Sequence, residues 1–324
     1  LSGNHQYLSF LNKPSDTGDI TLTLQSFNSV KNAIISLAVT GLTAVSPAAN
    51  AFNAINQINT QLSQYGIAYS GSPVFTSNNL LGTQPGDPVF SSQLAAGSFR
   101  CHQSDHVISF FSEATFSLDV CSSVPGLIVM SSNDPLLCTI DTAKKYGPLS
   151  QFDMSGLSDN QIALLIELAS TKLTTLLNNA IVVATYVHSE VGYLQRSVFL
   201  REGLPGIWYD GIRVKRPYEI YSYPVLGASL NWNYNKDTGE LYYIPSQNIV
   251  YSNDPTYWGN EIRFSYVAGN FSIPNEIVFG VITLMQAIAE NTSNIESLKT
   301  GTWGVKFKTS VIEELVSSLS GYIL

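Results

Sequence analysis

Charge is what this chain has least of. Asp, Glu, Lys and Arg make up 12% of its 324 residues, about half the share of an ordinary globular protein. Ser, Thr, Asn, Gln and Tyr must therefore cover much of its surface, which suits a subunit packed into a larger object better than a free cytosolic enzyme. The charges it has are evenly spread. Residues 1–140 carry 3 basic and 7 acidic side chains and residues 141–324 carry 13 and 17, so each part stands at −4 within a net charge of −8. No basic patch is present to neutralise phosphates, which argues against tight nucleic-acid binding. Three cysteines, Cys101, Cys121 and Cys138, are an odd and sparse set that excludes a disulfide framework. No apolar run reaches the length of a membrane span. The opening Leu1-Ser-Gly-Asn-His-Gln6 has neither the basic nor the apolar region of a signal peptide.

Catalytic patterns are missing too. No G-x-S-x-G elbow occurs, and the loop serines of Gly71-Ser-Pro and Gly97-Ser-Phe are ordinary. Glu313-Glu314 reads as the solvated face of a terminal helix. His102 and His106 have the H-x3-H spacing of zinc ligands, but Cys121 and Cys138 stand alone where zinc prefers paired ligands. Buried thiols and ordinary histidines are the expectation, with no metal, no cofactor and no enzymatic activity.

What is present is a 44% apolar, 11% aromatic chain, long enough for two domains. Ile20–Leu24 alternates as a strand. Ser46-Pro47 opens a helix, with Ser46 as N-cap and Pro47 in the first turn. Ala51, Ile55, Ile58, Leu62 and Tyr65 follow at helical spacing, and Gly66 closes it. Residues 70–98, punctuated by Pro85-Gly86-Asp87-Pro88, read as a long loop. Residues 107–111, 114–120 and 127–130 read as strands.

A linker is expected over residues 144–153, separating an extension (residues 1–150) from a second domain (residues 151–324). The second domain opens on a capping box, Ser158-Asp-Asn-Gln161. Its helix places Ile162, Leu165, Ile166, Ala169, Leu173, Leu176 and Leu177 on one face and ends near Asn178-Asn179. Strands are expected at 181–187, 212–215, 220–223, 248–252 and 261–267, and a hairpin turns at Asn235–Gly239. A largely buried helix spans 275–290, a strand 303–307 and a short helix 310–319. The fold class is α+β, with a helical and antiparallel-sheet C-terminal domain and a separate N-terminal α+β extension.

The junction Glu261-Ile-Arg-Phe-Ser-Tyr-Val-Ala-Gly-Asn-Phe-Ser-Ile-Pro-Asn-Glu-Ile277 is the most informative stretch. It reads as a strand, a glycine turn, a proline stop and the first turn of a long apolar helix. With the helix 157–179, Arg216-Pro217, Tyr223-Pro224-Val225, the turn at Asp237-Thr-Gly239, the aromatic loop Pro255-Thr-Tyr-Trp258 and Thr302–Phe307, it resembles the head-to-tail connector (adaptor) proteins of tailed bacteriophages. The resemblance covers about 170 residues. One departure is the helix end Ala289-Glu290-Asn291-Thr292, which keeps only the Glu and Asn of that family's Tyr-Glu-Asn-Arg-like run.

The resemblance implies a structural virion protein of the neck, made in the host cytoplasm and assembled as a homo-oligomeric ring, commonly of twelve subunits. Such a ring docks on the portal protein and receives the tail, a stopper or another neck protein. DNA passes transiently through it without sequence preference. An acidic or neutral lumen would suit that passage. Residues 1–150 lie outside the resemblance and are expected on the outside of the ring, so a chain beginning near Leu149 should fold alone. Val311, Ile312, Leu315, Val316 and Leu319 form one apolar stripe, extended by Tyr322, Ile323 and Leu324. Two readings stand for it: packing back on the chain's own sheet, or insertion into a neighbour, which the resemblance identifies as the portal. Tyr251, Tyr257 and Trp258, near Trp232 and Tyr234, read as a subunit or tail contact, where aromatics are enriched. The rival class is a sugar-binding module of a phage tail or secreted surface protein.

Overall fold

The computed structural model describes residues 4–27, 32–42, 46–64, 100–112, 115–178, 180–191, 197–199, 213–215, 232–235, 240–243, 261–289, 295–299, 304–307 and 309–320. The alternation at Ile20–Leu24 lies inside strand β2 (Gly18–Phe27), with Ile20, Leu22 and Leu24 buried. β2 is the centre of an antiparallel sheet between β3 (Asn32–Leu42) and β6 (Thr115–Ser122). A second antiparallel sheet has the order β4 (Arg100–Ser104), β5 (Val107–Ser112), β1 (Asn4–Phe10) and β7 (Val129–Ser132). Helix α1 (Pro47–Gln64) packs on β3 and β4. Ser46 caps it as expected, its Oγ accepting from Ala49 N at 3.1 Å. Ala51, Ile55, Ile58 and Leu62 join Leu8, Phe10, Leu22, Phe110 and Phe116 in one apolar core. The loop expected at 70–98 and the helix end at Gly66 lie outside the described residues.

In the second half the capping box forms as read. Ser158 Oγ accepts from Gln161 N at 3.4 Å, and Ser158 N donates to Gln161 Oε1 at 2.9 Å. These bonds satisfy two of the donors that a helix start leaves orphaned. Helix α3 follows (Asp159–Leu177) and ends at Asn178 in the left-handed conformation. Its buried face is Ile162, Ile166, Ala169, Leu173 and Leu177, with Leu165 and Leu176 at the margin. α3 packs on α4 (Asn275–Ala289), the long apolar helix. Strands β8 (Ala184–Val191), β13 (Glu261–Ala268) and β10 (Arg213–Lys215) form an antiparallel sheet in the order β10-β13-β8. The expected hairpin is present as β11 (Trp232–Asn235) and β12 (Glu240–Tyr243), with β9 (Ser197–Phe199) on its flank. A hairpin of β14 (Ile295–Lys299) and β15 (Gly304–Phe307) precedes helix α5 (Thr309–Ser318). The α+β class therefore holds. The strands expected at 220–223 and 248–252 lie outside the described residues.

Two local expectations are corrected. Ile181–Val183 do not continue β8. They are buried, and Val182 makes a single parallel bridge to Asn270. The linker expected over 144–153 holds the end of helix α2 (Ile140–Tyr146) and a 3-10 turn (Gly147–Ser150). Phe152 and Met154 beyond the turn are buried in a second apolar core. That core gathers Tyr7, Leu11, Val107, Leu136, Leu137 and Ile140 together with the faces of α3 and α4. Side chains from both sides of residue 150 thus share one interior, which bears directly on whether residues beyond 149 can fold alone.

Candidate functional site

The junction singled out in the sequence is where the two halves meet. β13 ends at Ala268, and Gly269 follows with φ +118. A Cβ built on Gly269 would overlap Val182 C and O and come within 2.7 Å of Val183 N. Glycine is required here both for its backbone conformation and for the close approach of two chain segments. The next residue fixes that approach: Asn270 N donates to Ile181 O at 3.0 Å, and Asn270 Nδ2 donates to the same carbonyl at 3.2 Å.

The hairpin of β4 and β5 supplies a set of polar ties to this junction. Ser104 Oγ donates to Asn270 O at 2.7 Å and accepts from Val183 N at 2.8 Å. Ser109 Oγ donates to Val183 O at 2.6 Å. Asp105, left-handed at φ 47, donates its N–H to Phe271 O at 3.0 Å. Its Oδ2 accepts from Ile273 N at 2.6 Å and from Ser272 Oγ at 3.2 Å. Buried backbone groups that leave a sheet need partners, and here a second element provides them. Pro274 immediately precedes α4, its carbonyl accepting from Ile277 N and Val278 N at 3.0 and 3.1 Å.

Beside these ties lies a cleft of about 470 Å³ whose lining includes Lys13, Ser46, Asp105, His106, Thr139 and Asn275. His106 is buried, and its Nε2 donates to Leu136 O at 2.8 Å, which fixes the tautomer of the neutral ring. Burial pulls its pKa down to about 4, against smaller upward pulls from the Leu136 bond and the Asp105 charge. Burial likewise pushes the Cys138 thiol up to about 12, so it stays protonated and unreactive at neutral pH. Cys101 Sγ donates to Asn59 Oδ1 at 2.9 Å, and Cys121 is exposed. Among the described residues no three His, Cys, Asp or Glu side chains gather as a metal site, and no helix is long and apolar enough to cross a membrane.

The C-terminal stripe divides. Leu315 and Leu319 are buried in the chain's own core. A Cβ built on Gly280 of α4 would meet Leu319 Cδ1 at 3.1 Å, Leu173 Cδ2 at 3.4 Å and Leu315 Cδ1 at 3.5 Å. α5 therefore packs against helices α3 and α4 of its own chain, at a point where α4 has no side chain. Ile312 packs at the edge of that core, and Val316 is half-buried. The Val311 side chain and residues Tyr322, Ile323 and Leu324 lie outside the described residues, as do Tyr251, Tyr257 and Trp258. On the helical layer Leu149, Leu164 and Phe279 are exposed, with Phe279 tilted against Tyr146 at 5.4 Å between ring centroids. Nothing in the sequence singled out Asp105, Ser104 or Ser109, because a serine or aspartate in a turn is the commonest of patterns.

No family model matches the chain, and no curated protein matches it by sequence. Among solved structures, a chain from the neck of an empty gene transfer agent particle computed with C6 symmetry is similar at a TM-score of 0.33 and 11% identity, over 50% of this chain and 80% of that one. A chain from the virion of the native particle is similar at 0.34 and 13%, over 51% and 81%. A chain from the neck of the native particle computed with C12 symmetry is similar at 0.33 and 13%, over 53% and 88%. The chain thus resembles, distantly and over half its length, neck chains of a gene transfer agent particle.

Proposed function

We propose that this protein is a structural, non-enzymatic head-to-tail connector subunit that forms a ring between a portal and a tail, with DNA passing through the centre. The observation that carries the reading is the order of elements from Ser158 to Ser318. A capped helix leads into an antiparallel sheet, and the strand ending Tyr266-Val-Ala268 turns through Gly269 and Pro274 into α4. The short helix α5 closes the unit. That is the order the resemblance to connector proteins leads one to expect. The exposed Leu149, Leu164 and Phe279 supply apolar contact for neighbours in such a ring.

In this reading Leu315 and Leu319 anchor α5 to the subunit. Contact with the portal falls to Val311, Ile312, Val316 and the terminal Tyr322, Ile323 and Leu324, while Tyr251, Tyr257 and Trp258 serve a subunit or tail contact. Residues 1–150 lie on the periphery, tied to the junction through Ser104 and Asp105. Electron microscopy of the purified protein, and of heads incubated with it, tests the proposal. Rings, or a ring added at the portal vertex, are expected, and removal of residues 322–324 together with Val316→Ser should abolish attachment while leaving the fold intact. A monomer that binds glycans and neither forms nor joins a ring would end it in favour of the sugar-binding reading.

A further inference from the structure

Strand β3 lies at the edge of its sheet, hydrogen-bonded on one side to β2. An edge strand offers every second residue's N–H and C=O outward, as a template for another chain. Proteins blunt such edges with charges, prolines or a covering element. β3 reads Asn-Ala-Ile-Ile-Ser-Leu-Ala-Val-Thr-Gly-Leu over Asn32–Leu42. It contains no charge and no proline, and it is rich in the β-branched residues from which strand-on-strand assemblies are built.

Two glutamines of α1 occupy that edge. Gln57 Oε1 accepts from Thr40 N at 2.9 Å, and its Nε2 donates to Thr40 O at 2.8 Å. Gln61 Oε1 accepts from Ala38 N at 2.9 Å, and its Nε2 donates to Ala38 O at 2.6 Å. Each carboxamide makes both bonds that a neighbouring strand residue would make. The spacing explains how two glutamines work in tandem. Four residues of helix rise about 6 Å, and two residues of strand rise about 6.8 Å, so positions i and i+4 of the helix keep step with alternate residues of the strand. Gln61 Nε2 also donates to Gln57 O at 3.2 Å, which orients its amide. At the far end Gly41, at φ +68, sits where the β2–β3 register shifts, so that Thr40 and Gly41 stand opposite Asp19. The strand bends there, just past the residue that Gln57 holds.

We infer that Gln57 and Gln61 form an edge guard, which keeps the backbone of β3 at Ala38 and Thr40 from pairing with the β3 edge of a second copy of this chain. A second copy is the fitting occupant because two identical uncharged edges are self-complementary when run antiparallel. The side chains facing solvent there, Ser36, Ala38 and Thr40, are small enough to let backbones meet. The guard does not depend on the connector reading; it concerns the N-terminal sheet alone.

The test compares the wild-type chain with Q57A/Q61A and with Q57A/Q61A/A38K by analytical ultracentrifugation over a hundredfold range of concentration. The double variant is expected to associate beyond the wild-type state as concentration rises, and the added edge lysine is expected to return it to that state. Unchanged association of the double variant, or association that A38K fails to reverse, overturns the inference. Should the double variant fail to fold, amide hydrogen exchange of the wild-type protein decides. Ala38 and Thr40 should be protected at least about tenfold over freely exchanging amides, as expected of hydrogen-bonded groups. Exchange at free rates means the guard is not formed in solution.

Discussion

Replacing Gly269 with alanine tests whether the junction is the close-packed seam that its contacts describe. Two costs combine. A φ of +118 is one an L-residue adopts only at about 1–3 kcal/mol. The new methyl would overlap the Val182 carbonyl and stand 2.7 Å from Val183 N, where a backbone cannot yield as a flexible side chain can. The 181–183 segment must then move away, and the Asn270 N to Ile181 O bond of 3.0 Å lengthens or breaks. Losing that bond costs about 1 kcal/mol, and overpacking adds about 1–3. The total is about 3–7 kcal/mol, a large part of the 5–15 or so that holds a domain together. Two other glycines separate the contributions. Gly41 has φ +68 with nothing within 4 Å of a built Cβ, and Gly156 has neither a positive φ nor a neighbour within 4 Å. Urea unfolding followed by circular dichroism should rank the alanine variants Gly156 near wild type, Gly41 lower by about 1–2 kcal/mol, and Gly269 far below both. Stability of Gly269→Ala within about 1 kcal/mol of the wild type would refute the reasoning.

Other outcomes follow from the same seam. His106, with its folded pKa pulled down to about 4 from an unfolded value near 6.5, binds a proton more readily unfolded than folded. Its contribution is fully present above pH 6.5 and is lost as pH falls toward 4, a loss on the order of 3 kcal/mol; His106→Gln should flatten the stability profile in that window. Asp105→Ala removes the acceptor of Ile273 N and Ser272 Oγ and places alanine at a left-handed φ, and should cost about 2–4 kcal/mol in urea titration, with Asp105→Asn intermediate. Leu315→Ala and Leu319→Ala should each cost about 2–5 kcal/mol, while Val316→Ser, at a half-buried site, should cost less than either. A chain beginning at Leu149 lacks Tyr7, Leu11, Val107, Leu136, Leu137 and Ile140 of the shared core; near-UV circular dichroism should show lost tertiary packing, and a native-like spectrum would mean that the C-terminal half closes its own interior.

Much of the local structure was legible because its causes are local. The Ser158 capping box, the apolar face of α3, the Ser46 cap, the hairpin of β11 and β12 and the start of α4 after Pro274 each depend on residues within a few positions of one another, where spacing alone sets the geometry. β1 was not legible. Tyr7, Leu8, Ser9 and Phe10 are all buried, so the strand is covered on both faces and shows no alternation. The α2 turn was hidden for a related reason, since Lys144, Lys145, Gly147 and Pro148 have the composition of a linker while Phe152 and Met154 beyond them are drawn into a core assembled from distant segments.

By itself, then, the sequence determined the α+β class, the position of most helices and the strand–glycine–proline–helix junction, because periodicity and capping act over one or two turns. The tertiary structure alone decided what those elements touch. It brought Asp105 within 2.6 Å of Ile273 N across 168 residues and laid α5 on Gly280 of α4. It also turned two unremarked glutamines into the partners of an edge strand. Such contacts depend on which surfaces are left unpaired after folding, and neighbouring residues carry no record of that.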